Sequence, residues 1–153
     1  GHRFAPTAVT LPLGASYGRL DGPAAVAALD AAGRGLLSPA ALDPTVTTLR
    51  GLAHLSPAGQ AADAYARVLW QEPMAGALRV IPLDIHSDEV TAAADGLAEV
   101  DPVDSHWVAT HADGRQAELV VRVETSPTDL AQSCGGAPEP VRIWRVAEAD
   151  SRS

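Results

Sequence analysis

Residues 106–125 read HWVATHADGRQAELVVRVET, and their pattern decides the fold class. Two apolar, β-branched runs, His106–Ala112 and Gln116–Thr125, flank Asp113-Gly114. Aspartate followed by glycine tolerates the backbone angles of a tight turn, so the stretch predicts a β-hairpin. Leu119, Val121 and Val123 fall on one face, because successive strand residues point to opposite sides. Downstream, VRIWRV at Val141–Val146 alternates as a last strand. Val141, Ile143 and Arg145 take one side there, and Arg142, Trp144 and Val146 the other.

Upstream the period lengthens. Ser56-Pro57 opens a helix, and Ala58, Ala61, Ala62, Tyr65, Val68 and Leu69 recur at spacings of three and four up to about Gln71. Pro73 closes it. A shorter, alanine-rich helix starts at Pro23 and stops at Gly33, with Val26 and Leu29 expected on one face. Ser38-Pro39 and Asp43-Pro44 start short turns at Ala40–Leu42 and Thr45–Leu52. The second of these is rich in threonine and has an extended alternative, since β-branched side chains lose freedom in helices.

Thr7–Leu13 reads as a short strand that Pro6 and Pro12 confine to an edge. Gly14–Gly22 reads as a loop. Ala77–Ile85 reads as a strand with Pro82 inside it, followed by a helix capped by Ser87 that carries Val90, Ala93, Ala94 and Leu97.

Helices thus dominate the first half and strands the second. The fold class is α+β: N-terminal helices packed on a small, mostly antiparallel sheet built mainly by the C-terminal half. Only the link from Ala77–Ile85 through a helix to His106–Ala112 offers a parallel pair. One domain is expected over residues 1–153, with residues 1–6 a tag remnant and flexible start and residues 148–153 a frayed tail.

Composition limits the function classes. Of 153 residues 46% are hydrophobic and 20% charged, the balance of a globular chain. The 11 basic residues are all arginine and face 19 acidic ones, giving a net charge of −8. Such a chain repels phosphate backbones, which argues against nucleic acid as its partner. The absence of lysine and asparagine matches a GC-rich coding sequence. Cys134 is the one cysteine, so no internal disulfide forms and a multi-thiolate zinc site is excluded. No apolar run approaches the ~18 residues of a membrane span. Gly1-His2 resembles a tag remnant, so the chain is expected to be a piece of a longer protein, any membrane attachment lying upstream.

Three sets of residues are candidates for chemistry. Gly14-Ala15-Ser16-Tyr17-Gly18 fits G-x-S-x-G, in which a strand turning sharply into a helix exposes a nucleophilic serine. Here the helix is delayed by Arg19–Gly22, and only fifteen residues precede Ser16. Asp84 or Asp104 and His106 or His111 complete a triad in the right order, but with so many acids and 5 histidines the match is easily met. Asp84, His86 and Asp88 share one side of an extended chain and form a candidate metal site, against which Ser87 and Asp88 read as a helix start. His106 and His111 are five apart and face opposite ways in a strand. Trp70, Trp107 and Trp144 are the third set. Outward-facing, Trp107 and Trp144 with Arg142 would form a stacking platform for a carbohydrate or a protein partner; the competing expectation is core packing.

Residues 28–70, in the stretches LDAAGRGLLSPAALDPTVTTLRGLAHLSP and AADAYARVLW, resemble the soluble C-terminal domain of actinobacterial cell-envelope proteins of the polytopic, glycosyltransferase-like kind. The resemblance implies an extracytoplasmic accessory or binding domain whose catalysis resides in the membrane part. It carries no functional residue and no cofactor to this chain. The leading expectation is a non-catalytic module contacting carbohydrate or an envelope protein. The alternative is a small hydrolase using Ser16, or a metal-dependent enzyme using Asp84, His86 and Asp88.

Overall fold

The computed structural model describes residues 7–43, 48–83, 104–125, 130–131, 138–139 and 142–149. Among these the α+β expectation holds, with two α-helices in the N-terminal half and strands dominating the C-terminal half.

The chain begins with a three-stranded antiparallel sheet, ordered β1 (Thr7–Thr10), β2 (Ala15–Gly18), β3 (Leu49–Leu52). This sheet corrects two expectations. Residues 15–18 are a strand and not a loop, and the extended alternative for 49–52 is the one realised. Both glycines that suggested a loop serve the sheet. Gly14, at φ +70°, ends the β1–β2 turn, and its N–H donates to Thr10 O at 2.8 Å. Gly18 leaves space that the Arg50 guanidinium fills.

Between β2 and β3 lies α1 (Gly22–Ala32). Asp21 caps it, its carboxylate accepting from Ala24 N at 2.8 Å. Ala28, Ala31 and Ala32 are buried, whereas Val26 and Leu29 point to solvent. The small alanine stripe packs inward and leaves the branched side chains outside, the reverse of the expected face.

The helix α2 (Pro57–Trp70) lies between this sheet and a second one. Ser56 Oγ accepts from Gly59 N at 3.2 Å, and Gln71 closes the helix in the left-handed conformation at φ +52°. Gln71 Nε2 then donates to Leu42 O at 2.9 Å, tying the helix end to the turn at 39–42. The second sheet is antiparallel throughout, in the order β4 (Leu78–Pro82), β5 (Asp104–His111), β6 (Gln116–Thr125), β9 (Arg142–Glu148). The parallel option for the β4–β5 pair is therefore wrong: Leu78 faces His111 and Pro82 faces Trp107. The hairpin at Asp113-Gly114 is present, with Gly114 at φ +95°. A two-stranded pair, β7 (Leu130–Ala131) and β8 (Pro138–Glu139), sits in the connection to β9. β9 runs past its expected end at Val146 to Glu148, and Ala149 N donates to Glu118 O at 2.8 Å. The helix expected after Ser87, the loop with Cys134, residues 1–6 and residues 150–153 lie outside the described residues.

Two cores meet on α2. Ala58, Ala62 and Ala66 pack on Leu78, Val80, Trp107, Ala109, Leu119 and Val121 of the larger sheet. Tyr17, Leu37, Leu42, Leu49 and Leu52 fill the other side. A helix covered on both sides must bring its backbone close. Gly51, at φ +102°, lies where any Cβ would meet the Gln60 backbone. α2 also buries a charged pair. Arg67, fully buried, donates from Nε to Asp63 Oδ2 at 2.9 Å and from its two terminal nitrogens to Met74 O and Ala75 O at 3.0 Å each. Burial pushes the Asp63 carboxyl up, against the charge and hydrogen bond of Arg67.

Candidate functional site

Helix packing leaves one stripe of α2 only partly covered among the described residues. Pro57, Gln60, Ala61, Ala64 and Tyr65 follow helical spacing, and none of them is fully buried. They floor an open groove of about 560 Å³, within the range of ordinary ligand sites. Leu49 and Arg50 of β3, with Arg19, form one wall. Ile143, Trp144 and Val146 of β9 form the other.

The wall residues show how the strands are turned. Leu49 and Arg50 are consecutive, and so are Ile143 and Trp144. Consecutive strand residues point to opposite faces. The groove therefore meets residues from both faces of each strand. Among the described residues β3 pairs only with β2, and β9 only with β6. The groove thus runs between β3 of one sheet and β9 of the other, each paired on one side only among the described residues.

Its charge runs against that of the chain. Among the described residues no aspartate or glutamate lines it, although the net charge is −8. Arg19 and Arg50 both do, both are exposed, and neither is paired with a carboxylate among the described residues. Arg19 holds a positive φ of 60°, a conformation that non-glycine residues adopt infrequently. Arg50 is laid across β2 over Gly18.

The predicted site residues are distributed differently from the sequence expectation. Ser16 is 8% exposed, in the middle of β2 opposite Val9 and Gly51. No strand-to-helix elbow surrounds it, and among the described residues no hydrogen bond joins it to a histidine. Trp107 is 3% exposed and packs its ring on Gly59, so it belongs to no surface platform. Its indole N–H donates to Ser105 Oγ at 3.0 Å, which satisfies the donor and permits burial. Trp144 packs against the same core but reaches the groove. Arg142 is half-buried two residues earlier on β9 and does not line the groove. Asp84, His86 and Asp88 lie outside the described residues. Among those described, no cluster of three or more His, Cys, Asp or Glu is arranged to hold a metal ion.

His106 and His111 are not brought together. His106 is exposed on β5. His111 joins a cluster that the sequence did not reveal. Its Nε2 lies 2.7 Å from Glu72 Oε2 and its Nδ1 2.8 Å from Asp113 Oδ1. Trp70 meets the imidazole edge-on at 5.8 Å, and the Arg115 guanidinium lies 5.4 Å from the Trp70 ring centre. Glu72, followed by Asp113, raises the His111 pKa, and the bond to His111 in turn lowers that of Glu72. Both imidazole nitrogens are engaged by carboxylates, so the cluster is a clasp between the end of α2 and the β5–β6 turn. It offers no free base.

The groove itself was invisible in the sequence. Arg19, Arg50, Gln60 and Tyr65 carry no motif. The one legible sign is that Tyr65 and Ala61 continue the apolar stripe of α2 at the margin of its buried face. No family model matches the chain, and no similar curated protein or solved structure was found. Among the described residues no helix is long and apolar enough to cross a membrane.

Proposed function

We propose that this chain is a non-catalytic binding module that holds an anionic partner in the groove between α2, β3 and β9. One observation carries the reading: among the described residues, two arginines without carboxylate partners line a groove that no acid lines, in a chain of net charge −8. Like charges elsewhere on the surface keep anions away, so this groove is where an anion is favoured. Tyr65 and Trp144 add apolar surface beside the charges, as ligand sites need. The burial of Ser16 in a strand weighs against the hydrolase alternative. The setting proposed for the module is the extracytoplasmic face of a membrane-anchored envelope protein, on the strength of the resemblance over residues 28–70 alone.

The test is retention on immobilised poly-glutamate and immobilised polygalacturonate at low salt. The wild-type chain is retained on at least one matrix despite its net charge. The Arg19→Gln/Arg50→Gln variant elutes earlier, and salt abolishes the difference. Flow-through of the wild type, or equal retention of the variant, refutes the reading.

A further inference from the structure

A strand needs glycine where its backbone is left-handed or where another backbone comes too close. Gly14 meets the first condition and Gly51 meets both. Gly18 meets neither. It is the last residue of β2, pairs with Thr7 and donates its N–H to Thr48 O at 2.8 Å. Its φ lies outside the left-handed region, so alanine fits the backbone. A glycine in a strand costs stability and marks the close approach of some other group. Here that group is the Arg50 guanidinium. A Cβ built on Gly18 would lie 2.6 Å from Arg50 Nη2 and 2.8 Å from Cζ, and nearer still to Nε. Its three nearest atoms thus all belong to the far end of one side chain.

Resting on the reading of the groove as an anion site, we infer that Gly18 serves binding and not folding: it is the positioning residue that beds the Arg50 guanidinium on β2. Arg50 reaches across from β3, is exposed and has no carboxylate partner among the described residues. A long exposed side chain with no resting place loses conformational freedom when a ligand orders it, and that loss weakens binding. The bare backbone at Gly18 supplies the resting place before any ligand arrives. It also puts the guanidinium over the residue that precedes Arg19, and both arginines line the same groove. Two planar forks at one wall suit the oxygens of a carboxylate. A methyl on residue 18 lifts the guanidinium off β2 and undoes this arrangement, while displacing only the movable end of a side chain. Gly18 itself does not line the groove; it acts through Arg50.

The experiment uses the full chain on the carboxylate matrix that retains the wild type, poly-glutamate or polygalacturonate, with urea unfolding measured beside it. Gly18→Ala is expected to lower the retention factor about two- to fivefold, the range of a solvent-exposed ion pair, and to unfold no earlier in urea than the wild type. Arg50→Gln lowers retention by a similar factor. Adding Gly18→Ala to Arg50→Gln lowers it no further, because the two substitutions remove one contact. Retention of Gly18→Ala equal to or above that of the wild type overturns the inference and leaves the anion groove standing. A further loss in the Arg50→Gln background does the same, since the effect then does not pass through Arg50. Earlier unfolding of Gly18→Ala also overturns it, because the methyl then meets more than the end of a side chain. Flow-through of the wild type removes the groove reading and the inference with it.

Discussion

Replacing Arg67 with methionine tests how the two halves of the molecule are joined. Arg67 and Asp63 are 0% and 1% exposed, on one face of α2 one turn apart. The guanidinium satisfies three acceptors, namely Asp63 Oδ2, Met74 O and Ala75 O. Methionine fills similar space but leaves the carboxylate stranded. Breaking a buried pair in this way costs about 3–5 kcal/mol. For a chain of this length each kcal/mol moves the melting temperature ~2–4 °C, so a fall of roughly 6–20 °C is expected. Asp63→Leu added to Arg67→Met removes the stranded charge and should recover part of the loss. It does not recover all, because the Ala75 carbonyl loses its partner at about 1–3 kcal/mol if no water reaches it, whereas Met74 O keeps the Ala77 N–H at 3.2 Å. Urea unfolding with an unchanged m-value gives the ordering wild type, double variant, single variant. A single variant within 1 kcal/mol of wild type, or a double variant below the single, would refute this account of the pair.

Other expectations follow from local geometry. Gly51→Ala forces a Cβ onto the Gln60 backbone at a positive φ and should destabilise far more than Gly14→Ala, whose φ is also positive but whose Cβ would meet nothing; the second should cost about 1 kcal/mol, and equal losses on urea unfolding would contradict the packing of α2 on β3. A fluorophosphonate reagent should leave Ser16 unlabelled by mass spectrometry, because β2 buries it and among the described residues no histidine is bonded to it; stoichiometric labelling would restore the hydrolase alternative. The raised pKa of His111 means that its contribution to stability is complete below the ordinary histidine value of about 6.5 and is lost as pH rises through the folded-state value. The melting-temperature gap between wild type and His111→Gln should therefore narrow from pH 6 to pH 9, with Trp70 emission changing over the same window; a gap that widens would reverse the assignment.

Much of the fold was legible because it depends on local chemistry. The Asp113-Gly114 turn, the Ser56-Pro57 helix start and the alternation around Trp144 each act within a few residues, and each appears where the pattern put it. Features that depend on distant residues were less legible. Ala15–Gly18 has Tyr17 as its one strong strand former and becomes a strand because β1 and β3 flank it on both sides. On α1 the expected apolar face turned outward, since a tightly packed helix favours alanine over valine and leucine at the contact.

The candidate site was less legible than the fold. Composition and periodicity by themselves determined the net charge of −8, the lack of a disulfide within this chain and the α+β order of elements. Those follow from counting and from periodicity, which need no knowledge of what lies across space. Only the tertiary structure decided that Arg19, Arg50, Tyr65 and Trp144, from four separate segments, share one groove. It also buried Ser16 and Trp107 and set Glu72 against His111. Such juxtapositions arise when α2 is gripped between two sheets, and the free energy that fixes them is spread over the whole interior, not written in any short run of residues.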